Sequence, residues 1–100
     1  MKKKFLFKSE VWLYPGTAGN WHFVSLPKVD GVEIKKDFGK NVRGWGSLRV
    51  EAQTGKTKWK TSIFPDKKSG TYILPIKALV RKCEGIYASE KIVIALKILV

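Results

Sequence analysis

One hundred residues, 44% of them hydrophobic, are enough for one domain with one core and too few for two. Twenty Lys and Arg against eight Asp and Glu leave a formal net charge of +12, which favours a polyanionic partner such as nucleic acid, or else merely keeps a small domain dispersed. A single cysteine excludes an intramolecular disulfide, and no apolar run approaches the length that spans a bilayer, so membrane insertion is not expected.

The basic start is followed by Lys8, Ser9 and Glu10, which interrupt the apolar stretch that a signal peptide needs. A cytoplasmic location is the expectation. The first predicted strand runs from Lys3 to Tyr14, with Phe5, Phe7, Val11 and Leu13 interleaved with polar residues and a phase slip, read as a bulge, near Ser9. PGTAGN reads as a loop. A second strand is predicted from Trp21 to Leu26, ended by Pro27, which cannot donate to a ladder.

In KVDGVEIKKDFG, Asp30 and Glu33 resemble a capping box, Ile34 and Phe38 share a helix face, and Gly39 closes the segment; Gly31 keeps the predicted helix short. Trp45 to Gln53 and Lys56 to Phe64 read as a hairpin turning at Thr54 and Gly55. PDKKSG is a further turn, and Thr71 to Leu74 a strand. Pro75 suits the first turn of a second helix, on which Ile76, Leu79, Val80 and Cys83 form one apolar stripe and Gly85 is the stop. Lys91 to Val100 is the last strand, apolar on both faces and so expected to lie centrally.

The order strand, strand, helix, strand occurs twice, over about residues 5–53 and 56–100. Pro15 answers to Pro65, Leu26-Pro27 to Leu74-Pro75, and Gly39 to Gly85. Neither half has enough strands to bury its apolar face, so the halves should interlock. A closed or nearly closed barrel with two helices at its ends removes the exposed edges.

GNWHFVSLP, GWGSLRVEAQTGKTKWKTSIFP and GTYILPIKALVRKCEG resemble an uncharacterised bacterial domain family. That family carries a W-x-F-[VI]-x-[LV]-P strand, a G-x-[LV]-x-V hairpin, a W-x-T-S-[IL] strand and an L-P-[IL]-K-x-x-[VL]-R-K helix. The likeness runs from about Phe5 to Leu96. In some members this domain is fused to a YdeI/OmpD-associated, bacteriocin-protection-like domain. The resemblance implies a mainly β fold with two short helices, a double-split (swapped-hairpin) β-barrel of the AbrB/MazE/MraZ class. It implies no reaction.

Chemistry is sparse. His22, the lone histidine, shares a strand face with Val24 and Leu26 and has no triad around it, so a structural or surface role is expected. Cys83, on the apolar stripe, is expected to be buried and inert. One Cys and one His are too few for a zinc site. GKT at Gly55 to Thr57 is no P-loop, because Val50 stands where the earlier Gly is needed and a strand follows instead of a helix. Asp30 and Glu33 read as capping and Asp66 as turn chemistry, and no pair of carboxylates is placed for catalysis. No cofactor or metal is implied.

KWKTS and the second helix hold the best candidate group. Thr61 shares the face of Trp59, and Lys77 and Arg81 stand one turn apart. If the helix end approaches the strand, Thr61, Ser62, Lys77 and Arg81 can hold an anion beside Trp59. Alternatively, Thr61 and Ser62 bond backbone groups, while Arg81 and Lys82 complement the helix dipole. The clusters Lys2-Lys3-Lys4 and Lys67-Lys68 read as solvated lysines, or as sequence-independent phosphate contacts.

Two function classes follow, and an enzyme is a distant third. One is a non-enzymatic module binding nucleic acid or another polyanion through Arg43, Arg49, Lys58, Lys60, Lys77 and Arg81. The other is a small-ligand or peptide-binding domain with a protective role, its site lined by Trp45, Trp59, Thr61, Ser62 and Arg81.

Overall fold

A computed structural model describes residues 4–14, 21–41 and 46–99. Lys2, Lys3, the loop at 15–20, Arg43 and Trp45 lie outside these residues, so the expectations that rest on them are not addressed by it. The strands are β1 (Lys4–Leu13), β2 (His22–Ser25), β3 (Leu48–Thr54), β4 (Thr57–Asp66), β5 (Thr71–Pro75) and β6 (Lys91–Ile98). The helices are α1 (Lys28–Phe38), extended by a 3-10 turn at Gly39–Asn41, and α2 (Ala78–Glu84).

The strands close into one antiparallel barrel in the order β1-β2-β5-β4-β3-β6. β1 pairs with β6, β3 with both β4 and β6, and β2 with β5. All of these except β3 with β4 join strands distant in sequence. Alternation then decides burial. Phe5, Phe7, Val50, Ala52, Trp59, Ile63, Ile94 and Leu96 point inward, while their sequence neighbours face solvent. Ile34 and Phe38 of α1 and Val80 of α2 join the same core. Each buried Val, Leu, Ile or Phe side chain among these contributes about 1.5–3 kcal/mol through the area it removes from water.

Several local expectations are corrected. Phe5, Phe7, Ser9 and Val11 keep one parity along β1, so there is no phase slip at Ser9. Instead β1 changes neighbours there, from Glu10 opposite Lys91 to Val11 opposite Val24. Ser9 Oγ donates to the Ser25 carbonyl at 2.8 Å at this junction. Leu13 is exposed because the strand has by then run past the core.

The cap of α1 is Pro27, without a side-chain cap bond, and Asp30 lies inside the first turn; the capping box is not formed. Pro27 takes the N-cap place with an extended backbone, and its ring offers no acceptor to the first N–H groups of the helix. Gly39 keeps a right-handed conformation and leads into the 3-10 turn, so it does not stop the chain as a left-handed cap would. The β3–β4 hairpin turns one residue later than expected. Thr54 pairs with Thr57, and Gly55, at φ 56°, takes the first place of the two-residue turn.

Pro75 ends β5 instead of starting α2. The Ile76 N–H donates to the His22 carbonyl at 2.9 Å, which keeps the chain extended for two more residues. The helix that remains has seven residues, and of the expected stripe only Ile76 and Val80 are buried. Leu79 and Cys83 are exposed, so Cys83 is not a core residue. Gly85 does stop α2, at φ 64°, with the Ile86 N–H closing on the Arg81 carbonyl at 2.9 Å. β6 lies between β1 and β3, but Val93 and Ala95 face outward and only its other face is core.

Candidate functional site

The alternation that buries Trp59 and Thr61 on β4 turns Lys58, Lys60 and Ser62 to the outside. On that outer surface the register aligns a row across four strands. Lys4 stands opposite Lys97, Lys97 opposite Glu51, and Glu51 opposite Lys60. Lys58 lies in the next row opposite Gln53, and Arg49 is paired with Ser62 on the other side. Three strand spacings separate Lys4 from Lys60, about 14 Å along the sheet. A shallow groove of about 590 Å³ runs here between Lys4, Leu6, Gln53, Lys58 and Lys97. Lys4 and Lys97 are directly opposed like charges, an unfavourable pair, while Lys97 and Lys60 each stand opposite Glu51.

The second place of interest is the junction of α2 with the barrel. A cleft of about 520 Å³ opens there between Trp21, His22, Thr61, Phe64, Pro75, Ile76, Lys77, Ala78 and Arg81. Thr61 is almost fully buried. Lys77 Nζ donates to the Lys60 carbonyl at 2.8 Å, and Arg81 Nε donates to the Ile76 carbonyl at 3.3 Å. These bonds hold two cations at the rim of one cleft. Trp59 does not line it. Its indole lies in the wall behind, with Nε1 donating to the Pro75 carbonyl at 3.2 Å.

Of the residues predicted to hold an anion, the fold therefore gathers Thr61, Lys77 and Arg81. Trp59 supports them from the core. Ser62 stands on the opposite face of β4, beside Arg49, and takes no part in the cleft. Arg49, Lys58 and Lys60 share the outer surface, and Lys60 joins the two places, since its carbonyl holds Lys77.

Sequence reasoning left Trp21 out of the candidate site and gave His22 a structural or surface role, and both line the cleft. Trp21 lies 58% exposed just before β2, stacked on Phe23 with ring centroids 6.1 Å apart and planes at 14°. Trp12 and Tyr14 complete the cluster at 5.2 Å and 5.8 Å from Phe23. The signal was available. Trp12 and Tyr14, like Trp21 and Phe23, are spaced by two, which places each pair on one face of its strand.

Among the described residues, no three His, Cys, Asp or Glu side chains gather where they could hold a metal ion. No helix among them is long and apolar enough to cross a membrane. No curated protein matches the chain. The profile of one family, described as a domain of unknown function, matches residues 7–96, nearly the whole of the barrel and both helices. This chain belongs to that family, DUF1905.

Proposed function

We propose that this domain is a non-enzymatic binding module for a polyanion, nucleic acid above all. The observation that carries the reading is the outer row Lys4, Lys97, Glu51, Lys60, flanked by Lys58 and Arg49. The five cations come from four strands of one barrel, with Glu51 standing between Lys97 and Lys60. A phosphate backbone laid across them meets charges at fixed spacing and releases its counterions. The formal charge of +12 adds a long-range attraction that a single patch does not supply. The reading includes a cytoplasmic setting, where nucleic acid is at hand.

The double-split barrel relation belongs to the same proposal. Two backbone bonds support it. The Leu26 N–H donates to the Tyr72 carbonyl and the Ile76 N–H to the His22 carbonyl, both at 2.9 Å. The two bonds exchange when residue numbers shift by fifty, which sets Leu26-Pro27 against Ile76-Lys77 and not, as expected from the sequence, against Leu74-Pro75. Likeness to the AbrB/MazE/MraZ class, which includes DNA-binding regulators, is support by fold analogy only.

Retention of random-sequence DNA and RNA on filters, across a salt series, tests the reading. The expected outcome is binding at low salt that weakens steeply as salt rises. Absence of retention at low salt would end it.

A second reading is favoured by the α2 cleft. It is a small-ligand or peptide-binding domain with a protective role, in which Thr61, Lys77 and Arg81 hold an anionic group. Thermal-shift measurements with small organic anions separate the two: a shift that survives high salt points to the cleft, and one lost with salt points to the outer face.

A further inference from the structure

We propose that the α2 cleft takes one unpaired nucleotide of a single-stranded nucleic acid, the base against Trp21 and the phosphate between Lys77 and Arg81. The proposal rests on the polyanion reading above and adds the form of nucleic acid selected.

Trp21 carries the first part of the argument. An indole with Phe23 stacked against it at 14° is held in orientation, and yet more than half of its surface is exposed. That combination makes a stacking platform, which accepts any base because every base has a π face. Cations carry the second part. Lys77 spends one of its three donors on the Lys60 carbonyl, and Arg81 is anchored through Nε to Ile76, so both heads are positioned at the rim. The space, about 520 Å³, lies within the range of sites for single small ligands.

The Gly31 N–H donates to Pro27 and the Arg81 N–H to Lys77, each at 3.0 Å, so Gly31 and Arg81 hold matching places at the starts of α1 and α2. The paired bonds of Leu26 and Ile76 likewise match Tyr72 with His22, and hence Thr71 with Trp21. At the α1 junction those places hold a glycine and a threonine in close contact. The fold is therefore built at this junction without a large cation or an indole.

The route into the cleft is also on hand. Lys60, whose carbonyl holds Lys77, stands in the outer row with Glu51 and Lys97. A strand lying along that row passes Lys60 and reaches the cleft. A duplex keeps its bases stacked and paired and cannot offer one to Trp21.

Fluorescence anisotropy with a labelled oligothymidylate, the same strand in duplex with its complement, and thymidine monophosphate as competitor tests this. The single strand is expected to bind about tenfold tighter than the duplex. Trp21→Ala is expected to remove that preference, lowering single-strand affinity by about tenfold and leaving duplex affinity unchanged. Trp21→Phe should keep most of it, and Arg81→Gln should weaken the single strand more than the duplex, in proteins whose thermal unfolding is checked. Equal affinity for strand and duplex, tighter duplex binding, or no effect of Trp21→Ala would overturn the inference and leave the polyanion reading standing. The monophosphate competing as well as the oligonucleotide would overturn the assignment to a strand. No binding of any nucleic acid at low salt would overturn both.

Discussion

Gly31 of α1 lies so close to Thr71 of β5 that a methyl group added at Gly31 would stand 2.9 Å from Thr71 Cβ and nearer still to the hydroxyl. This contact sets how near the helix comes to the barrel, and Thr71 Oγ1 reaches the Pro27 carbonyl at 3.5 Å across the same gap. Gly31→Ala gains about 1 kcal/mol of helix propensity. It also forces an overpacked junction, which typically costs about 1–3 kcal/mol. Because Thr71 is buried and β5 is paired on both sides, the helix has to move, and a net loss of about 1 kcal/mol or more is expected. Gly39→Ala is the contrast, since its nearest neighbour is a flexible Lys35 carbon 3.9 Å away. Urea midpoints measure both. A midpoint for Gly31→Ala equal to or above that of the parent would show that the contact does not position α1.

Glu84 fastens the end of α2 to the β3–β4 hairpin. Its Oε2 accepts from Thr57 Oγ1 at 2.6 Å and from the Lys56 N–H at 3.3 Å. Glu84→Ala should destabilise the protein by about 1 kcal/mol, the usual net worth of such a partly exposed hydrogen-bonded carboxylate. Thr57→Val should cost a similar amount, and the two should not add. A double-mutant cycle with a coupling of about 0.5 kcal/mol or more is expected, and strict additivity would mean that the bond is not formed in solution.

The outer row makes a quantitative claim about salt. If Lys58 and Lys60 each neutralise one phosphate, Lys58→Gln and Lys60→Gln should each lower the slope of log Kobs against log salt by about 1. Lys36→Gln, on the exposed part of α1, should leave the slope unchanged. Titrations of one oligonucleotide at several salt concentrations give the slopes directly. Equal slopes for all three variants would show that binding draws on diffuse charge and not on this face.

The barrel could be read from the sequence because strand alternation and turn residues are local signals. Val50 and Ala52, set between Arg49, Glu51 and Gln53, declare their inward face by parity alone, whereas β6 is apolar at both parities and its inward face, Ile94, Leu96 and Ile98, is decided by the barrel. The α2 region was read less well, because a stripe at helical spacing presupposes that the helix starts where the stripe does. The Ile76 backbone bond to His22, fifty-four residues away in sequence, delays that start and leaves Leu79 and Cys83 in solvent. The candidate cleft was half legible for a similar reason. Thr61, Lys77 and Arg81 lie close along the chain, and their meeting follows from a β-turn-β-α unit. Trp21 reaches the same cleft only because β2 pairs with β5, a long-range register that no local pattern encodes.

Tyr72 gives the protein an alkaline limit. Burial pushes its phenol above the ordinary value of about 10, because the charged form would lose its hydration inside the barrel. The folded state therefore holds this proton to higher pH than the unfolded chain does. The corresponding stability is complete below about pH 10 and is lost as pH climbs through the raised value. Lysines titrate in the same range, so the contribution is isolated by comparison with Tyr72→Phe. That variant keeps the ring and the backbone carbonyl that accepts from Leu26, and removes only the ionisable group. Denaturant unfolding at pH 7 and at about pH 11 should show the parent losing more stability than Tyr72→Phe over that interval. Equal losses would mean that Tyr72 ionises in the folded barrel as readily as in the open chain, and the phenol would then have to be reached by water.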